Sequence, residues 1–254
     1  MTYKNKYFYI ENISTEKLSS KFGTPSYIYS YKNLRDNIKN FQKHFTTFKP
    51  LICFSVKSNS NLKLLNIIGN LGLGADVVSK GELIKALKAK IKPDKIVFSG
   101  VGKTIDELKF AINKKIFLIN AESDSEIIEI EKIAKKNKKK INIGIRLNPD
   151  TDAKTLKEIS TGKKENKFGL TKKNFLYLIN KYKHSNFINI ICLSVHIGSQ
   201  ITNHVPYKKM LEVVNKTIIE AKYKFKYIDL GGGMGIKYKR NSDKLDYRKY
   251  NSLI

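Results

Sequence analysis

The chain has 254 residues, and its formal charge of +27 is almost wholly lysine, since Arg35, Arg146, Arg240 and Arg248 are the only arginines. Those lysines are spread over nearly every predicted helix face, and the run Lys135-Lys136-Asn137-Lys138-Lys139-Lys140 falls at a helix end where cations suit the dipole, so the charge reads as a solvated surface and no nucleic-acid partner is expected. No apolar run reaches membrane-spanning length, the first ten residues lack a signal-peptide core, and Cys53 and Cys192 both lie inside predicted strands, which together point to a soluble, cytoplasmic protein with no membrane partner.

Ahead of Pro25, Tyr7 to Ile10 reads as a strand, and Ser26 to Ser30 just beyond it reads as another. From there the chain alternates short β-rich runs with longer amphipathic stretches. Strands are predicted at 52–56, 75–78, 95–99, 116–119, 141–147, 190–196 and 227–230, and helices at 61–69, 81–89, 104–113, 124–136, 172–181 and 206–222. Thr104-Ile-Asp-Glu107 and Ser123-Asp-Ser-Glu126 have the form of capping boxes at two helix starts. Strict βα alternation leaves an open doubly wound sheet or a closed barrel. Residues 1–30 stand outside the alternation as strands of a separate β layer.

Several strand ends carry side chains with chemistry to offer. Lys57 ends the apolar run Leu51-Ile-Cys-Phe-Ser-Val-Lys57. An ammonium there is expected to be partly desolvated, which frees an amine to attack a carbonyl; the plainer alternative is a lysine marking where the strand meets water. Asp76 and Glu82 flank the exit of the second strand, as functional carboxylates or as turn and helix-start residues. Arg146 sits between apolar neighbours and needs an anionic partner if buried. His196 follows a strand, where a satisfied core histidine competes with a site residue. Strand parity puts Ser55 with Lys57, and Ser194 with His196, on one face.

Three glycine patterns separate cleanly. Ser99-Gly-Val-Gly-Lys-Thr104 would need its first phosphate-loop glycine at Val97, inside a strand, and Leu71-Gly-Leu-Gly-Ala-Asp-Val77 lacks the third glycine of a dinucleotide fingerprint. Asp229-Leu-Gly-Gly-Gly-Met-Gly235 follows a late strand, where clustered glycines expose N–H groups to an anion or simply make a tight turn.

In this order, Phe54-Ser-Val-Lys57-Ser-Asn59, Ala75-Asp-Val-Val-Ser-Lys-Gly-Glu-Leu83, Phe98-Ser-Gly-Val-Gly-Lys-Thr104 and Ile145-Arg-Leu-Asn-Pro149 resemble the fold-type III pyridoxal-phosphate decarboxylases. So do His196-Ile-Gly-Ser-Gln-Ile201 and the Asp229 glycine segment, while Ile159 to Gly169 is similar to the branch that acts on diaminopimelate. The resemblance implies an α/β fold, a (β/α)8 TIM-type barrel over residues 31–254 with residues 1–30 associated with a β domain. It implies that Lys57 carries pyridoxal 5'-phosphate covalently and that Gly231, Gly232, Gly233 and Ser199 bind its phosphate. His196 would stack on the cofactor ring and serve catalysis with Lys57, while Asp76, Glu82 and Arg146 would position both. The implied partners are a small amino-acid substrate and a second copy, as a homodimer with shared active sites; no metal is implied.

The family pattern continues past the glycine segment, through a Glu-Pro-Gly-Arg segment to a β domain with a Cys-Glu-Ser motif and a late tyrosine. These are absent up to Ile254. The chain therefore reads as an N-terminal portion, a barrel incomplete before its last strand, with an open edge that would favour association. Decarboxylation of another basic amino acid or a carboxylated polyamine, and a non-catalytic cofactor carrier, are the competing expectations.

Overall fold

The computed structural model describes residues 2–4, 6–47, 49–238 and 244–254. The chain divides into two compact units, residues 1–49 and residues 50–254.

In the first unit, β1 (Thr2–Lys4), β2 (Tyr7–Ile10) and β3 (Ile13–Ser14) form an antiparallel sheet in the order β1-β2-β3. Helices α1 (Thr15–Phe22) and α2 (Tyr31–Gln42) follow, each opened by a serine whose hydroxyl accepts from a first-turn N–H: Ser14 from Lys17 and Ser30 from Asn33. The strand expected at Ser26–Ser30 is not formed. That stretch is irregular and its backbone pairs with no strand among the described residues. Alternating tyrosines give it strand propensity, but a strand needs a neighbour to hydrogen-bond.

The second unit is built on a seven-stranded parallel sheet: β4 (Cys53–Ser55), β5 (Gly74–Val77), β6 (Ile96–Phe98), β7 (Leu118–Ala121), β8 (Ile141–Arg146), β9 (Ile188–Ser194) and β10 (Tyr227–Asp229). The strands run side by side in chain order from β4 to β10, with β4 and β10 at the two ends. A doubly wound sheet reverses its order at a switch point, so this sequential order selects the barrel-type winding. The sheet curls: Val97 of β6, Leu118 of β7 and Ile191 and Cys192 of β9 share one core cluster, against which Cys53 of β4 packs.

Helices α3 (Leu62–Asn70), α4 (Lys80–Lys88), α5 (Ile105–Asn113), α6 (Asp124–Lys136), α7 (Lys172–Tyr182) and α8 (His204–Ala221) connect the strands, and α9 (Tyr247–Leu253) follows β10. Each connecting helix turns an apolar stripe inward, as in Ile127, Ile130, Ile133 and Ala134 of α6. Burying such a side chain stabilises by roughly 1.5–3 kcal/mol, so the stripes, not intrinsic propensity, hold the helices on the sheet. The capping box at Thr104 is complete, with Glu107 answering the Thr104 N–H. At Ser123 only half the box forms. The hydroxyl accepts from Glu126 N–H, but the Glu126 carboxylate turns to Glu122 N–H and Lys103 Nζ.

Candidate active site

The sequence candidates collect where the parallel strands end. β4 stops at Ser55, and Val56–Ser58 makes a 3₁₀ turn in which Ser58 Oγ donates to Ser55 O at 2.7 Å. Lys57 therefore stands on a turn just past the strand and is exposed, while the preceding Val56 is fully buried. The desolvation expected from the sequence is not met, because strand parity does not extend into the turn. His196 likewise lies two residues beyond the end of β9, with Val195 N–H bonded to Asp229 O.

A chain of polar side chains runs across the inside of the curled sheet. Ser99 Oγ donates to Asp76 Oδ1 at 2.6 Å, and Asn120 Nδ2 donates both to Ser99 Oγ at 3.2 Å and to Asp229 Oδ2 at 2.9 Å. Ser194 Oγ donates to the same Asp229 oxygen at 3.0 Å. Asp76 on β5 is thus linked to Asp229 on β10, with Asn120 of β7 at the centre. A separate buried cluster holds Arg146. Its Nη1 donates to Glu122 Oε1 at 2.9 Å, its guanidinium lies over the Phe168 ring at 5.0 Å, and Glu122 also accepts from Gly100 and Gly169 N–H. Behind it, Lys103 Nζ is buried and donates to Glu126 Oε1, Gly100 O and Asn120 O. Removing one member of such a pair strands a buried charge, so these pairs fix geometry more than they add stability.

Electrostatics set the protonation states. Burial raises the Asp76 carboxyl to about 6; the Ser99 hydrogen bond opposes the rise, the Asp229 charge adds to it, and the Lys57 and Arg146 charges oppose it. Burial lowers His196 to about 4, helped by the Arg146 and Lys57 charges. At neutral pH His196 is therefore uncharged, and its buried Nδ1 has no hydrogen-bond partner among the described residues. Lys57 is close enough to act on both groups.

The glycine segment closes the rim. Gly231, Gly232 and Gly233 have φ of 70°, 67° and 81°, the left-handed region. A Cβ at Gly231 would lie 2.2 Å from Val195 O, and one at Gly233 would lie 2.0 Å from Gly198 O, so both positions exclude a side chain. Gly231 N–H donates to Asp229 Oδ1, Tyr207 Oη donates to Gly232 O, and Ile201 N–H donates to Gly233 O. The N–H groups of Gly232 and Gly233 meet no acceptor among the described residues, and space opens beside Gly232. Ser199 is tied nearby through its own N–H to Ile159 O.

Glu82 is engaged locally: its Oε2 accepts from Val78 N–H at the start of α4, while Ser79 Oγ accepts from Glu82 N–H. The structure brings together Asp76, Arg146, His196 and the glycine turn, with Lys57 beside them. Sequence reasoning missed Asn120, Glu122 and Tyr207 altogether, placed Ser194 only by strand parity, and saw Ser99 and Asp229 only as the starts of glycine segments. The signal for Asn120 and Glu122 was present in Leu118-Ile-Asn-Ala-Glu122, polar residues closing an apolar strand on the same rim as the other candidates.

Residues 31–254 match the family model described as pyridoxal-dependent decarboxylase, pyridoxal binding domain. The chain is 40% identical over 246 residues to a diaminopimelate decarboxylase of Aquifex aeolicus, covering 94% of this chain and 57% of the relative. It is 42% identical over 226 residues to the Helicobacter pylori J99 enzyme of the same name, covering 88% and 56%. The crystal structure of Helicobacter pylori diaminopimelate decarboxylase complexed with L-lysine superposes with a TM-score of 0.90 at 39% identity, over 94% of this chain and 61% of that one. The chain thus spans less than two thirds of the length of the relatives it matches.

Proposed function

The chain belongs to the pyridoxal-dependent decarboxylase family, and on that premise we propose that the protein removes carbon dioxide from meso-2,6-diaminopimelate to give L-lysine, the last step of lysine biosynthesis. The observation that carries this reading is the meeting, at one rim of the sheet, of two backbone amides and a buried imidazole nitrogen without partners among the described residues, and a half-buried carboxyl. Those features fit pyridoxal 5'-phosphate. Gly232 and Gly233 N–H, with Ser199, suit its phosphate, and the uncharged His196 ring suits its aromatic face. The names of the relatives supply the substrate.

The cofactor, when bound, supplies a sink for the electron pair left behind as carbon dioxide departs. The remaining roles belong to this chain. Lys57, on its exposed turn, would hold the cofactor covalently. Asp76 and Arg146 set the charge around it, Arg146 being fixed by Glu122, and Glu82 acts by seating the start of α4 beneath Val78. His196 stays neutral near pH 7 because protonating it costs desolvation and repulsion from Arg146 and Lys57. We further propose that the protein works in the cytoplasm as a homodimer with shared active sites, and that residues 1–30 associate with a β domain while 31–254 form the cofactor-binding barrel.

A substrate panel tests the reading. The full-length protein loaded with cofactor should release carbon dioxide from meso-diaminopimelate at least tenfold faster, in kcat/KM, than from lysine, arginine or ornithine, a gap of about 1.4 kcal/mol or more in transition-state binding. Preference for one of the other amino acids would reassign the substrate, and cofactor binding without release from any of them would make the protein a carrier.

A further inference from the structure

Asp229 is the least expected residue at this rim, because a carboxylate two residues before an anion-binding turn should repel the anion. Its surroundings resolve the conflict. Asp229 Oδ2 accepts from Ser194 Oγ at 3.0 Å and from Asn120 Nδ2 at 2.9 Å, and Oδ1 accepts from Gly231 N–H at 2.9 Å. Three donors thus converge on one side chain, anchored to β9 and to β7 on the far side of the sheet's curl. Asn120 is almost wholly buried, and its Oδ1, without a hydrogen-bond partner among the described residues, fills the space left by Gly144, where a Cβ would sit 2.1 Å away.

The Gly231 N–H is the first of three successive glycine amides, and among the described residues it alone is taken by a side chain. With that amide tied inward and Gly232 O held by Tyr207, the turn's path is fixed at both ends and the next two N–H groups meet no acceptor among the described residues. We infer that Asp229 is a positioning residue for phosphate recognition: anchored by Ser194 and Asn120, it captures Gly231 N–H and so holds the glycine turn with the Gly232 and Gly233 amides presented to the anion. This rests on the proposal that the turn binds the cofactor phosphate. It goes further in assigning the preorganisation to a carboxylate whose charge alone would oppose it, and preorganised donors bind more tightly because less ordering is lost on binding.

The test compares equilibrium binding of pyridoxal 5'-phosphate with that of pyridoxal, which lacks the phosphate, using the absorbance of the bound chromophore on the full chain. The wild-type chain should prefer the phosphorylated form. Asp229→Ala should cut that preference by about tenfold or more, the loss of one charge-assisted anchor, while its affinity for pyridoxal stays within about twofold of wild type. Ser194→Ala, a milder change should Asp229→Ala not fold, should cut the preference by about threefold, again with pyridoxal binding little altered. If the folded variants keep the wild-type preference, or lose affinity for both ligands in parallel as a merely structural residue would dictate, the assignment of Asp229 is overturned. If the wild-type chain itself shows no preference, the phosphate site at the glycine turn is overturned, and the role of Asp229 with it.

Discussion

Asp76 illustrates how much of the site's behaviour is decided by surroundings that no local motif specifies. Its carboxyl is raised to about 6 chiefly by burial, so the folded state binds the proton more tightly than the unfolded chain does. The associated stability is fully present below the unfolded value near 4 and is lost as pH rises through about 6. His196 runs the opposite way: its lowered value means stability is full above about 6.5 and is lost as pH falls through about 4. Asp76→Asn keeps an acceptor for Ser99 Oγ and removes only the first of these effects. Relative to wild type, its unfolding free energy in urea should therefore rise by about 2 kcal/mol between pH 4 and pH 7.5, a little less than the full shift of about two pH units converts to, because the residue keeps some solvent contact. A flat difference across that range would mean the carboxyl is not desolvated. The sequence made Asp76 a candidate but gave no hint of this shift, which comes chiefly from burial beneath neighbouring strands, with Ser99 opposing it and Asp229 adding to it. Lys57 teaches the converse. It was found by sequence for a reason the structure does not support, an environment of low polarity, and its case now rests on its company at the rim.

At the scale of elements, what the sequence expressed well was whatever depends on neighbours within a few residues. All seven parallel strands of the second unit, and all six helices between them, lie where the alternating pattern puts them, to within a few residues at each end. The Thr104 cap was legible because both halves of the box are three residues apart, whereas the Ser123 box was misread because Glu126 found a better partner in Lys103, which is distant in sequence. Ser26–Ser30 failed for a related reason, since local propensity cannot supply a pairing strand. The β8 strand holds a sharper example. Gly144, at the register shift between β8 and β9, faces Asn120 Oδ1 so closely that a Cβ would lie 2.1 Å from it and 3.2 Å from the Cys192 side chain. Gly144→Ala must push Asn120 off its two hydrogen bonds or distort the strand. A loss of about 1–3 kcal/mol in thermal or urea unfolding is expected. An unchanged stability would show that the Asn120 bridge is loose.

For the molecule as a whole, the sequential strand order is what places every candidate on one rim, because each parallel strand delivers its C-terminal end to the same side. Alternation alone made the shared rim legible but left the strand order open between a doubly wound sheet and a barrel. The polar chain from Asp76 through Ser99 and Asn120 to Asp229 was not legible, since it joins β5, β6, β7 and β10, whose contact follows from the curl of the sheet. Of the basic side chains among the described residues, Lys103 and Arg146 are held in buried ion pairs at this site, and Lys57 stands beside them. The central claim, that the rim holds pyridoxal 5'-phosphate with Lys57 as its covalent anchor, is tested most directly by borohydride reduction of the cofactor-loaded protein followed by peptide mapping. The account predicts a reduced pyridoxyl group on Lys57 and its loss in Lys57→Ala. Label on another lysine, with the Lys57 peptide unmodified, would contradict it.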